Sequence, residues 1–337
     1  MDNNKYNLYE CYYNPSKYSQ THIENDIHPS WDSENWLKRY CEYNVNRREL
    51  RKEVWDNTAS IVKCRKYILS NGEVRFLGDT SDNQSCFYTK AIKPVFSPLE
   101  MPPQITVIST DCLDVAHDWV KAGMEVSILN MASIRDPGKG CREGTEGQEE
   151  YLFRCSNYCQ SFYQFKSLFE ACGYGLHSTQ YYLPLGLEFG GIYSPNVVFF
   201  RKNEKNGYAL VEEPWKANVI AVAGVMSPET VSVNNAHRLS SRASEIVKNK
   251  IRTIFRIACD QGQRNLILGA IGCGAYRNPP QHIAELFHEV LFEQEYIGAF
   301  QRVCFAIKSD SYSNGDSTYH FFYQKLNGSS RRYYGTA

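Results

Sequence analysis

Between Trp36 and Val62, the apolar residues Leu37, Tyr40, Leu50, Val54 and Ile61 recur at helical intervals among charges, which predicts one or two amphipathic helices. Residues 67–77 read as a hairpin, with Asn71-Gly72 supplying the positive-φ turn. Beyond it, short apolar runs alternate with helical ones. Residues 105–109 form a strand, Thr110-Asp111 a cap, and 112–122 a helix that stops at Gly123, with a further strand over 125–130. A helix over 149–172 follows, then strands at 196–201 and 217–223 and a long helix at 243–261. Strand, helix and strand at 266–270, 283–292 and 303–307 complete the series. This alternation predicts an α/β chain, a three-layer α/β/α sandwich around a mostly parallel or mixed sheet, with ligand sites beyond the carboxyl ends of strands.

Residues 1–45 lack apolar periodicity and are rich in Tyr, Asn and Ser, so they read as an extension whose Tyr and Trp favour wrapping the domain. A Gly- and Tyr-rich stretch at 174–193 reads as an irregular insertion on the side of the site. With 337 residues, 42% of them hydrophobic, the chain can build a large core without staples. Lys plus Arg equals Asp plus Glu at 37 each, so no global field draws it to nucleic acid or anionic lipid and any anion site is local. Twelve cysteines without a CxxC pair, beside a start that looks like neither a signal peptide nor a membrane span, predict reduced thiols in the cytoplasm or nucleus.

Candidate chemistry gathers in the stretch from Asn130 to Tyr158. A strand ends in Asn130, a glycine-rich loop runs through Gly138, Lys139 and Gly140 to Gly147, and Gln148-Glu149-Glu150 opens a helix. The loop fits neither GxGxxG nor GxxxxGK[ST]. Its backbone amides suit a phosphorylated sugar, and adjacent carboxylates suit breaking a bond in one. On a helix the two side chains diverge by about 100°, which implies divided roles: one acid orients a hydroxyl while the other exchanges a proton. The helix dipole favours their anions, whereas a general acid must hold its proton, and solvated first-turn acids are the ordinary alternative.

A second glycine-rich run, Gly272-Cys273-Gly274-Ala275-Tyr276, leaves a strand and leads to Asn278-Pro279-Pro280 and a helix. It could admit a diphosphate, with Tyr276 packing on a sugar or base; a plain strand-to-helix turn is the simpler reading. His282, Glu285 and His288 lack the HExxH spacing and fall on the polar side of their helix, so no metal is expected. Cys273 reads as a small buried residue rather than a nucleophile, and Arg331-Arg332 beside Tyr333-Tyr334 as a solvated tail.

The loop followed by Gln148-Glu149-Glu150 resembles the signature of the microbial-type poly(ADP-ribose) glycohydrolases. Further matches lie at Asn46-Arg47-Arg48, residues 193–197, 221–224, 268–280 and 305–307. The resemblance covers about residues 46–326, leaving 327–337 as a tail. It implies a macrodomain with an N-terminal helical extension, a hydrolase needing neither cofactor nor metal, and ADP-ribose or poly(ADP-ribose) on modified proteins as its partner. Nucleic acid would enter only as an ADP-ribosylated substrate, and membranes not at all.

Carried over by motif, Glu150 is the general acid and base for the ribose-to-ribose O-glycosidic bond, acting from the chain end, and Glu149 holds ribose hydroxyls. Asn130, Gly138, Lys139, Gly140 and Gln148 would contact the terminal ribose side, and Gly272 to Tyr276 the diphosphate. Tyr276 stands where the family usually has Phe. Lys139 replaces the middle one of three family glycines. If that position needs positive φ, the loop is strained; if not, the ammonium could lower the pKa of Glu149. Either effect would favour the alternatives, an ADP-ribose-binding module with weak hydrolysis or a hydrolase acting on single ADP-ribosyl units.

Overall fold

The computed structural model describes residues 29–78, 85–134, 137–162, 184–234, 236–308 and 317–329. Helices α1 (Ser33–Tyr40) and α2 (Arg47–Cys64) come first, then a hairpin of β1 (Lys66–Ile68) and β2 (Val74–Phe76). Strands β3 (Cys86–Tyr88) and β4 (Gln104–Ile108) lead to helix α3 (Cys112–Lys121), strand β5 (Ser127–Met131) and helix α4 (Gln148–Cys155). Two long strands, β6 (Gly191–Arg201) and β7 (Leu210–Val222), precede a hairpin of β8 (Thr230–Val233) and β9 (Ala236–Leu239). Helix α5 (Ser241–Asp260), β10 (Asn265–Leu268), helix α6 (Pro280–Leu291), β11 (Arg302–Ala306) and helix α7 (Thr318–Leu326) follow.

Seven strands form one mixed sheet in the order β3-β6-β7-β5-β10-β11-β4. The five strands from β7 to β4 run parallel, whereas β6 is antiparallel to β7 and β3 to β6. Neighbouring residues of a strand face opposite ways, and here both faces are covered. Ile128, Val219 and Ala221 join the core with Trp55, Leu152 and Phe199. Leu129, Ile220 and Val222 join the opposite core with Ile254, Phe255 and Phe287. The sandwich is therefore three layers, as the alternation predicts.

Local chemistry sets the boundaries. Asn46 caps α2 by accepting from Arg48 N, and Asp111 caps α3 by accepting from Leu113 N. Gly72 takes φ 85° in the first hairpin turn. The described part of the extension wraps onto the domain, with Trp36 1% exposed and its Nε1 donating to Leu50 O at 3.0 Å. Residues 1–28 lie outside the described residues, as do 174–183 of the expected insertion and Arg331 to Tyr334.

Several expectations are corrected. The helix expected to run to Cys172 stops at Cys155, because Ser156 turns extended at φ −150° and bridges to Phe199. Ser156 Oγ donates to Leu152 O, closing the last turn, and accepts from Tyr158 N. Residues 163–172 lie outside the described residues. Strand β6 begins earlier than expected and crosses Pro195 through a register shift between Ser194 and Val197, where Asn196 takes φ 51°. Strand β3 and helix α7, which buries Phe322 and Leu326, add elements that periodicity did not single out.

Candidate active site

Asn130, near the carboxyl end of β5, is fully buried, and its Nδ2 donates to Glu149 Oε1 at 3.0 Å and to Tyr158 OH at 3.2 Å. Ser133 N donates to Glu149 Oε2 at 3.1 Å, and Gly138 N also reaches this carboxylate. Glu149 is 4% exposed. Burial pushes its pKa up to about 7, against the lowering effect of these donors. The competition between helix dipole and desolvation is thus decided for desolvation.

Glu150 diverges from its neighbour and lies in the glycine loop. A Cβ at Gly140 would stand 2.5 Å from Glu150 Oε1, and one at Gly147 would stand 2.1 Å from Oε2. The carboxylate therefore occupies room that the two glycines leave. Burial raises its pKa too, opposed by the charge of Arg154 one turn along α4. Adjacency in sequence has become separation in setting: Glu149 is locked into β5 and the loop backbone, and Glu150 lines the loop, partly exposed.

The loop is braced from outside. Arg154, 1% exposed, donates from Nη1 to Thr145 O at 2.9 Å, and Thr145 N and Oγ1 both donate to Gly140 O. Gly144 lies so close to Arg48 O that a Cβ would stand 1.9 Å from it. Gly138 has φ 71°, with the Phe153 ring 2.3 Å from where a Cβ would be. Lys139, by contrast, is exposed, starts the 3-10 turn Lys139–Glu143, and is not among the non-glycine residues with positive φ. The left-handed strain considered for it is absent. Lys139 is likewise not among the main causes of either glutamate's pKa shift.

Gln148, expected to face substrate, has its amide committed to β5. Its Oε1 accepts from Met131 N at 3.0 Å and its Nε2 donates to Leu129 O at 2.7 Å. The last β5–β10 pair is Ile128 with Ile267, so the Gln148 amide serves β5 just past the end of that ladder. This holds the start of α4, and with it both acids, against the sheet.

The second loop follows β10 and meets the first. Tyr276 OH accepts from Ile134 N at 3.2 Å, and Tyr276 O accepts from Ser227 N at 2.9 Å. Asn278, 3% exposed, donates from Nδ2 to Val225 O and Gly272 O and fixes the turn at Gly272, where φ is 75°. Cys273 is a half-buried thiol with its pKa raised by burial, so it is not activated. Gly274 and Ala275 are exposed, with open space where a Gly274 Cβ would project. The second loop's outward backbone is accessible while its base is rigid.

The other candidates have structural partners. His282 Nδ1 accepts from Leu239 N at 2.9 Å, and Glu285 pairs with Arg238 at 2.5 Å. Among the described residues no cluster of His, Cys, Asp or Glu could hold a metal, and no helix is long and apolar enough to cross a membrane. Sequence reasoning did not single out Tyr158, Arg154, Thr145 or Ser133. All four lie inside the motif stretch, but what they contribute comes from contacts made in the fold, which spacing does not encode.

Residues 56–202 match the model of the microbial-type PARG catalytic domain, a span that holds the first loop and both acids and stops short of the second loop. No curated protein matches the chain. Among solved structures, the poly(ADP-ribose) glycohydrolase of Thermomonospora curvata is 24% identical, with a TM-score of 0.66 over 82% of this chain and 99% of that one. The Deinococcus radiodurans poly(ADP-ribose) glycohydrolase in complex with ADP-ribose is 27% identical, with a TM-score of 0.51 over 68% and 86%. The Thermomonospora protein has also been solved with the inhibitor ADP-HPD. Over residues 56–202 the chain is thus similar to the microbial-type PARG catalytic domain, and its macrodomain-like fold is the one seen in these bacterial structures.

Proposed function

We propose that this protein is a poly(ADP-ribose) glycohydrolase that cleaves the ribose-to-ribose O-glycosidic bond from the chain end and releases ADP-ribose, with polymer carried on modified proteins as its substrate. The observation that carries the reading is the division between the acids. Glu149 has both oxygens held by Asn130 and backbone amides, whereas Glu150 is partly exposed in the loop with its pKa raised. A carboxyl group that retains a proton can protonate the departing ribose oxygen and, once ionised, activate the attacking water. Glu149 would then orient ribose hydroxyls together with Asn130. Gly138, Lys139 and Gly140 would border the terminal ribose, and the backbone from Gly272 to Tyr276, exposed at Gly274 and Ala275, would border the diphosphate. The link from Tyr276 to Ile134 supports a single ligand crossing both loops. Lys139, without backbone strain, gives no reason to expect a loop too distorted to act.

Glu150→Gln tests the assignment. Release of ADP-ribose from polymer should fall by at least about 100-fold, while calorimetric affinity for ADP-ribose stays within a few-fold. Unchanged turnover would show the acid to be misassigned, and a wild-type protein that neither binds ADP-ribose nor releases it would sink the reading.

A further inference from the structure

Both amide hydrogens of Asn130 have acceptors, one in Glu149 and one in Tyr158. Its Oδ1 is buried and has no hydrogen-bond partner among the described residues. If the amide turned over, Oδ1 would face the carboxylate of Glu149 and would need a hydrogen from Tyr158. What the phenol does therefore matters, and that is set farther away. Tyr158 OH bonds to Ser194, Ser194 Oγ lies 2.9 Å from Ser85 Oγ, and Ser85 Oγ donates to Ser161 O at 3.4 Å. A carbonyl can only accept. In the order proposed below, Ser85 donates to Ser161, Ser194 to Ser85 and Tyr158 to Ser194, while the phenolic oxygen accepts from Asn130 at 3.2 Å. Tyr158 and Ser194 are both fully buried, whereas Ser85 is half-buried.

We propose that Tyr158, backed by Ser194 and Ser85, is a positioning residue that fixes the Asn130 amide with Oδ1 turned to accept a hydroxyl of the bound sugar. The proposal rests on the ADP-ribose reading for the identity of that sugar. The relay ties the candidate site to β6 and to the residue before β3, at the far edge of the sheet. It also gives specificity a cause: a sugar lacking the hydroxyl leaves a buried acceptor unsatisfied.

Tyr158→Phe removes only the oxygen, since the ring keeps its packing against Phe153 at 4.8 Å and Phe162 at 5.1 Å. KM for polymer should rise about tenfold, with kcat changing by less than about threefold. Ser194→Ala should act in the same direction and serves if the first variant folds poorly. In Tyr158→Phe the deficit should deepen as pH falls from 8 to 6, because a protonated Glu149 can donate to Oδ1 and let the amide turn. The other titratable groups facing Glu149 are Glu150, Cys141 and Tyr158; burial raises the pKa of the last two, keeping them neutral over that range. A loss of binding independent of pH would mean lost packing and would overturn the proposal, as would wild-type values of KM in both variants.

A readout without ligand separates this from the functional reading. In protein labelled with 15N-asparagine, the side-chain amide pair lost in Asn130→Asp is that of Asn130. It should shift in both Tyr158→Phe and Ser194→Ala. An unmoved pair would refute the relay whether or not the wild type binds ADP-ribose.

Discussion

The two glycine-rich loops at the carboxyl edge of the sheet use a missing side chain in opposite ways. In residues 137–147, the space beside Gly140 and Gly147 is filled by the carboxylate of Glu150, and that beside Gly144 by the backbone of Arg48. In residues 272–276, Gly272 is pressed against Asn278 while Gly274 faces nothing. The first loop is shaped around the protein's own acid, the second around room left for something else. An identical residue type therefore makes room for an acid in one place and leaves open space in the other, and sequence alone reads both as cradles. Substitutions that fill each space should separate the two uses.

Gly140→Ala should have the largest effect. The added methyl would stand 2.1 Å from Thr145 Oγ1 and 2.5 Å from Glu150 Oε1, both of them movable side-chain atoms, so the fold should survive while the carboxylate is pushed aside. Polymer cleavage should fall by about 1000-fold, with the melting temperature within a few degrees of wild type. Cleavage within tenfold of wild type would show that Glu150 does not need its present position.

Next in size is the pH dependence of stability that comes from Glu149. Its folded pKa of about 7 lies above its ordinary value of 4.5, so the folded chain holds the proton more tightly than the unfolded one. The stabilisation is complete below about pH 4.5 and is lost as pH rises through 7, at about 1.4 kcal/mol per unit and about 3 kcal/mol in all. Glu149→Gln has no such loss. Denaturant titrations at pH 5 and pH 8 should show stability shifting in the variant's favour by about 2.5 kcal/mol between them; parallel behaviour would mean that Glu149 is not buried as an acid.

Within the second loop, Gly272→Ala and Gly274→Ala should diverge. The first forces a side chain into φ 75° and against Asn278 Nδ2 at 2.5 Å, for a loss of about 2 kcal/mol in unfolding free energy. The second meets open space and should leave stability within about 0.5 kcal/mol while weakening calorimetric ADP-ribose binding. Equal stability losses would erase the distinction between base and rim.

How much of this was legible depended on whether the determining contact is local. Helix α2 and strand β5 were readable because their apolar residues repeat at the period of the element, and Asp111 because a cap acts two residues away. The divergent settings of Glu149 and Glu150 followed from helical geometry alone. Gln148 was not readable: its partners Leu129 and Met131 lie across a loop of unfixed shape, and nothing in its spacing reports a bond to a strand. The passage of β6 through Pro195 was hidden because a bulge supplies a conformation that a strand pattern forbids. The relay through Ser85, Tyr158 and Ser194 joins residues whose proximity exists only after the sheet has formed.

Lys139 gives the smallest expected effect and the sharpest contrast between a residue's place in a motif and its place in the molecule. By comparison with a triple-glycine motif it is the departure that should matter most. Its backbone conformation is one that any residue adopts, and the loop's left-handed positions fall on Gly138 and Gly144 instead. Lys139→Gly should therefore relieve no strain. It should instead lower stability by about 0.5–1 kcal/mol through the freedom that glycine gives the unfolded chain, and change polymer cleavage by less than about tenfold. A far larger rise in rate, measured with stability on the same preparation, would place the restraint in the lysine ammonium rather than in the backbone. Lys139→Gln, which removes the charge and keeps the Cβ, should then reproduce that rise; failure to do so would return the cause to the backbone.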